Sequence, residues 1–133
     1  METIKMTGKN EVTFFACATC RTMVERVGGD SRTLSCCATL MQRLLPNTVD
    51  ASLEKHKPVL KRGKDGLEVQ VGEILHPMSF EHYIEWIIVV YDNRVSRIKL
   101  LPGQNPSATI CLKEETTPQV YAYCNLHGLW KAD

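Results

Sequence analysis

Two cysteines side by side, Cys36 and Cys37, constrain this chain more than any other feature of its sequence. Neighbouring Cα atoms stand about 3.8 Å apart across a trans peptide. Ordinary disulfides begin at about 4.4 Å. The pair is therefore badly placed to bridge to itself and well placed to reach one metal ion. A second pair, Cys17-Ala18-Thr19-Cys20, precedes it. Both fall in a stretch too short to bury a sufficient core, the size at which small units commonly rely on a metal as a staple. Met1 to Val12 mixes Glu2, Lys5, Lys9, Asn10 and Glu11 with single apolar residues and has no apolar h-region. The cytoplasm is the expected compartment, where six cysteines argue for metal binding or catalysis rather than disulfides.

The 133 residues leave room for one small and one medium module, and 44% apolar with 23% charged residues is the balance of a soluble globular protein. The longest apolar run, Trp86 to Tyr91, falls far below the roughly 20 residues of a membrane span. A net charge of +1 sets up no global field toward nucleic acid or membrane. Attraction for an anionic substrate would have to be built locally.

Strand signals run through the chain. Val12 to Ala16 is β-prone and leads into Cys17; Met23 to Val27 reads as a second strand stopped by Gly28-Gly29-Asp30. Met41 to Asp50, with Pro46 and Asn47, reads as a linker. Beyond it, Leu67, Val69 and Val71 alternate with Glu68 and Gln70 after an Asp65-Gly66 turn. Tyr83 to Tyr91 is long, aromatic and β-branched, and Asp92-Asn93 turns it into Val95 to Leu101. Ala108 to Leu112 is a further strand, with Cys111 read as a small buried hydrophobe, and Pro118 to Tyr123 is expected to be the last. Turn signals every eight to twelve residues predict an all-β chain whose larger part is an antiparallel sandwich or barrel. The boundaries expected are 1–45 for the cysteine-rich unit and 46–133 for the rest.

All four histidines lie in three short contexts: Glu54-Lys55-His56, His76-Pro77-Met78-Ser79-Phe80-Glu81-His82, and Cys124-Asn125-Leu126-His127. One histidine alone is ordinarily a hydrogen-bonded core or surface residue. Here none is left over, and one is paired with a cysteine three residues away, an offset that lets a thiolate and an imidazole share a metal. His76 and His82 are not at helical spacing, and Pro77 biases His76 away from helical dihedrals, so both read as loop-borne ligands. Trp86, Trp130 and Tyr83 read as core or as an apolar wall.

The strings His76-Pro77-Met78, Glu81-His82-Tyr83-Ile84-Glu85-Trp86-Ile87 and Cys124-Asn125-Leu126-His127-Gly128-Leu129-Trp130-Lys131-Ala132 closely resemble superoxide reductases. Glu54-Lys55-His56 is similar to that family's third motif, and Cys17, Cys20, Cys36 and Cys37 resemble the desulforedoxin-like module of its longer members, the desulfoferrodoxins. The resemblance spans about Phe14 to Ala132. It implies an immunoglobulin-like sandwich behind a small iron-binding domain, and two mononuclear iron sites. Cys17, Cys20, Cys36 and Cys37 would hold one iron. At the other, His56, His76, His82 and His127 would be equatorial, Cys124 axial, and Glu54 a sixth ligand of the oxidised iron. Lys55 would supply a local positive charge, and a proton, beside the open position.

The implied activity is one-electron reduction of superoxide to hydrogen peroxide, with the four-cysteine centre relaying electrons from a small donor such as rubredoxin, in a homodimer. The competing reading is an electron carrier or iron-binding protein without superoxide activity; a structural zinc module is a third. Both leave the histidine and Cys124 constellation idle.

Overall fold

The computed structural model describes residues 12–30 and 33–133; the polar N-terminal stretch and part of the Gly28 to Arg32 loop lie outside the described residues. Two compact units meet in sequence between Leu45 and Pro46. The smaller has a sheet of β1 (Thr13–Ala16), β2 (Met23–Arg26) and β5 (Gln42–Arg43), and a hairpin of β3 (Ser35–Cys36) and β4 (Thr39–Leu40). Only Phe14, Phe15 and Cys17 are fully buried among its described residues. The expected linker therefore begins later than Met41, because Gln42 and Arg43 pair with Ala16 and Phe15. Backbone pairing recruits residues whose side chains are polar and exposed, so no apolar alternation marks them.

Cys37 and Ala38 occupy the two turn positions between Cys36 and Thr39, both with positive φ (54° and 60°). Two left-handed residues in a two-residue hairpin are the mark of a type I′ turn, usually Asn-Gly. Using Cys-Ala instead costs about 1–2 kcal/mol per residue, and it turns two adjacent thiols toward one point.

The larger unit opens with the one-turn helix α1 (Leu53–His56) and continues with seven strands: β6 (Pro58–Gly63), β7 (Gly66–Val71), β8 (Ile84–Tyr91), β9 (Arg94–Lys99), β10 (Ser107–Ile110), β11 (Gln119–Cys124) and β12 (Gly128–Lys131). They form antiparallel sheets β10-β7-β6 and β12-β11-β8-β9. Three strands against four is an immunoglobulin-like count. Inward rows from both sheets make one core: Leu67, Val69 and Val71 from β7, Ile84, Ile87 and Val89 from β8, Val120, Ala122 and Cys124 from β11, with Leu100 and Ile110. Among the described residues no helix is long and apolar enough to cross a membrane.

Strand β12 carries no strand signal in the sequence, since only four residues make it up and a glycine begins it. Cys111 is a further correction. Ile110 ends β10 pointing inward, so the next residue points out, and Cys111 is exposed.

The inward residues of β8 break the period of two: Ile84 and Ile87 both face the core. The cause is a bulge. Tyr123 pairs with Trp86 but Cys124 pairs with Ile84, leaving Glu85 without an opposite number. Such a bulge re-aims the residues beside it, and here it sets the inward direction of Cys124.

Gly72 is the second device. Its φ is +88°, and a Cβ there would stand 2.7 Å from the Lys55 carbonyl oxygen and 2.9 Å from that of Glu54, and closer still to that of Ile74. All three are backbone atoms and cannot swing aside. Gly72 N–H donates to Lys57 O (3.1 Å) and Ile74 N–H to Glu54 O (3.2 Å), stitching the loop that carries His76 onto the helix that carries His56. Gly72→Ala should destabilise the unit by more than about 2 kcal/mol in chemical denaturation, from backbone strain plus forced separation. Gly103→Ala, at the same φ with open space around it, should cost only about 1 kcal/mol.

Candidate metal centres

In the smaller unit Cys17, Cys20, Cys36 and Cys37 place four sulfurs within 4.8 Å of one another. Cys20 Sγ is 3.6 Å from Cys36 Sγ, and Cys36 Sγ is 3.9 Å from Cys37 Sγ. Four thiolates around an ion at bond lengths of about 2.3 Å would have sulfurs about 3.8 Å apart, so the set fits a tetrahedral site. Cys20 N–H points at Cys17 Sγ (3.5 Å), and this contact lowers the Cys17 pKa. The Thr22 hydroxyl, 3.0 Å from Cys20 Sγ, brings the Cys20 thiol down to about 6. Crowding by its neighbours, Cys20 first, raises Cys36 and Cys37. Without an ion the four cannot all be thiolates; a cation removes that conflict.

The larger unit gathers its ligands from four separate pieces of chain. His56 ends α1, His76 and His82 sit on the loop between β7 and β8, Cys124 ends β11, and His127 lies in the turn before β12. The rings form a closed circuit. His56–His76, His76–His82, His82–His127 and His127–His56 have centroids 4.6, 4.6, 5.0 and 4.8 Å apart, each pair between 74° and 88° to one another. His56 and His82 are 6.2 Å apart and tilted by only 33°. Four near-equal edges and a longer diagonal describe a square of imidazoles, with His56 opposite His82 and His76 opposite His127.

Ligand atoms of His56, His76, His82 and Cys124 all lie within 4.8 Å of one another. His127 joins through Nδ1, 2.9 Å from His56 Nε2 and 3.9 Å from Cys124 Sγ. Two nitrogens bound at right angles to one ion at about 2.1 Å would be about 3.0 Å apart, which the 2.9 Å separation matches. A sulfur within reach of both opposite pairs stands over the square rather than beside it. The Nε2 atoms of His76 and His82 are buried with no hydrogen-bond partner among the described residues. A buried polar atom left unpaired costs roughly 1–3 kcal/mol, and a metal ion at the centre would satisfy both at once. The donor set therefore fits a metal.

The surroundings fix which nitrogen faces inward. His56 Nδ1 contacts Ser52 O (2.6 Å) and His76 Nδ1 contacts Pro77 O (2.7 Å); a carbonyl accepts only, so each Nδ1 carries the proton and each Nε2 is left as a lone pair. Trp130, fully buried, stacks on His56 at 4.8 Å and donates its Nε1–H to His127 O (3.1 Å), touching two ligand residues. Burial lowers the pKa of His56, His76 and His82, bringing His76 to about 4 against the opposing pull of Pro77 O. Burial also raises the Cys124 thiol, offset in part by the N–H groups of Leu126 and His127. His56, His76, His82 and Cys124 are thus biased toward their neutral forms until a cation arrives.

Of the remaining expected site residues, Lys55 is exposed on α1, and its charge reaches the His56 and His82 rings. Glu54 is exposed on the same turn, and its carboxylate is not among the clustered ligand atoms. Lys57 turns away to pair with Asp133. Trp130 is the core or wall residue that the sequence suggested, whereas the contributions of Ser52 and Asn125 have no separate signal there, since nothing in it says which residues meet across the sandwich end.

A small β unit with a four-thiolate centre, joined to an immunoglobulin-like sandwich with a four-imidazole, one-thiolate centre, defines a non-haem metalloprotein with two separate mononuclear sites. The sequence profile of the desulfoferrodoxins matches residues 48–133. The desulfoferrodoxin of Syntrophotalea carbinolica is 42% identical over 120 residues, covering 90% of this chain and 94% of its own. That of Clostridium acetobutylicum is 40% identical over 124 residues, covering 93% and 98%. The crystal structure of the superoxide reductase from Treponema pallidum superposes with a TM-score of 0.75 at 28% identity, covering 93% of this chain and all of that one. The chain belongs to the desulfoferrodoxin family.

The lowered histidine pKa values have a consequence for the metal-free protein. The unfolded chain takes up these protons near the ordinary 6.5, and the folded chain only at lower pH, near 4 for His76. Stability is therefore complete above pH 6.5 and declines as pH falls from there toward 4. Denaturant midpoints of the apoprotein between about pH 7 and pH 4.5 should fall with a slope of about one proton or more; a flat profile would contradict the burial of neutral rings.

Proposed function

We propose that the chain is a superoxide reductase whose reaction centre is His56, His76, His82, His127 and Cys124, with Cys17, Cys20, Cys36 and Cys37 relaying electrons to it. The carrying observation is the square of four imidazoles, in which the Nε2 atoms of His76 and His82 are buried and unpaired, with a single thiol over it. An iron held by His56, His76, His82, His127 and Cys124 would supply the one electron that, with two protons, converts superoxide to hydrogen peroxide without evolving oxygen. The residues do the rest. The neutral imidazoles hold a cation without cancelling its charge, so the site attracts a small anion. The Cys124 thiolate would be the one anionic donor among these five residues and would push electron density onto an ion held there. Lys55 draws superoxide toward the rings and can hand a proton to the product. Glu54, adjacent on α1, would close the site after turnover; its backbone already anchors the His76 loop.

The four-cysteine unit has Cys20 and Cys37 exposed, an edge at which a small donor of the rubredoxin type can deliver electrons. Six free thiols fit a reducing cytoplasm. A homodimer is the proposed assembly, readable from the mass of the intact protein in solution.

Cys124→Ser tests the reading. It should abolish the thiolate-to-iron absorption of the second centre and most superoxide consumption while the four-cysteine spectrum survives; unchanged consumption would refute the assignment. Lys55→Ala should slow the bimolecular reaction with superoxide and flatten its dependence on salt, because steering by a local charge weakens with ionic strength. An undiminished salt dependence would remove Lys55 from the reaction path.

A further inference from the structure

The four ring ligands are not held alike. His56 and His76 each have a ring nitrogen fixed by a backbone carbonyl, and His56 is also stacked by Trp130. Among the described residues no comparable bond reaches the His82 ring, whose inward nitrogen is unpartnered. The direction of that ring must come from the backbone that carries it. This backbone is bracketed. The Asn125 side chain accepts from Tyr83 N–H through Oδ1 (2.9 Å) and donates to Glu81 O through Nδ2 (2.9 Å), gripping the residues on either side of His82. Asn125 N–H in turn donates to Tyr83 O (3.2 Å). Ser79 holds His82 itself, through its backbone and its hydroxyl.

Asn125 is also the residue after Cys124. One side chain thus ties the segment bearing the thiolate to the segment bearing the least supported imidazole, at the bulge where regular pairing between β8 and β11 ends. The three hydrogen bonds of Asn125 replace the ladder that the bulge interrupts. The amide is needed whole, since one end must accept and the other must donate.

We infer that Asn125 is a positioning residue for the second metal centre, locking His82 and Cys124 into one rigid pair so that an imidazole and the thiolate present themselves to an ion together. The inference rests on the reading of that cluster as a metal site. Losses among residues that orient metal ligands typically lower metal affinity by about 10–100-fold.

Asn47 supplies a matched control. Its side chain grips a backbone in the same way, donating to Lys131 O (3.2 Å) and accepting from Lys131 N–H (2.9 Å), but Lys131 is no ligand. The experiment uses the full chain with iron in both sites, competed against a graded iron chelator, with the ferric electron-spin resonance of each centre recorded in parallel. Asn125→Ala should weaken iron binding at the second centre by about 10–100-fold and broaden or shift its resonance, leaving the four-cysteine signal unchanged. Asn125→Asp keeps the acceptor for Tyr83 N–H but loses the donor to Glu81 O, and should fall between the two. Asn47→Ala should lower the denaturation midpoint while leaving second-centre affinity within about twofold of wild type, below the loss expected for a ligand-orienting residue. Equal affinity and lineshape in wild type and both Asn125 variants would overturn the inference, as would an Asn47→Ala loss as large as that of Asn125→Ala. Should Asn125→Ala fail to fold, the Asn125→Asp resonance decides alone. If the wild type itself held no iron at the second centre, the metal-site reading would fail rather than the role of Asn125.

Discussion

The unpartnered inward nitrogens of His76 and His82 are the constraint around which the larger unit is organised. His76 is buried and His82 half-buried, desolvation favours the neutral form of both, and the nearest groups that could satisfy these nitrogens are other ligands pointing at the same spot. Protein side chains do not resolve this arrangement; a cation does. The same logic governs the four thiols of the smaller unit, where Cys20 is inclined to ionise and Cys36 is held back. Each unit is thus built with a local electrostatic deficit that one ion removes. Metal binding and stability are therefore linked in both units.

Assembling five ligands from four chain segments demands rigid crossings between those segments. The sandwich core delivers Cys124 as the last member of the inward row Val120, Ala122, Cys124, and the bulge at Glu85 allows that row to end where the histidine loop arrives. Gly72 permits the loop and α1 to touch backbone to backbone. Trp130 spans His56 and His127. None of these three devices offers a ligand atom to the cluster, yet each fixes a coordinate of a residue that does. Lys55 and Glu54 stand exposed on α1 beside His56, consistent with a site that must admit a small anion and release a small product.

Much of this is legible in the residues alone. Alternation in Leu67, Val69 and Val71 marks a strand with one buried face, and the apolar run ahead of Asp92-Asn93 marks one buried on both faces from Ile87 to Val90. The cysteine and histidine motifs mark the centres because those residue types have few other reasons to cluster. What stays hidden has a common cause. Gln42 and Arg43, and the four residues of β12, join sheets through backbone bonds that leave no hydrophobic period. Cys111 reads as buried from its apolar neighbours, whereas its outward direction depends on where β10 stops. Asn125 and Gly72 act through partners more than a dozen residues away or through the space available, and neither is written in local sequence.

The central claim is that electron transfer to superoxide occurs at the histidine and Cys124 centre rather than at the four-cysteine centre. The direct measurement is a superoxide pulse delivered to the anaerobically reduced full chain, with the absorption of both ferric centres followed in time. The expected result is oxidation of the second centre first, at a rate proportional to superoxide, with one hydrogen peroxide formed per superoxide consumed and no oxygen released. Direct oxidation of the four-cysteine centre while the second stays reduced, or release of oxygen, would contradict it.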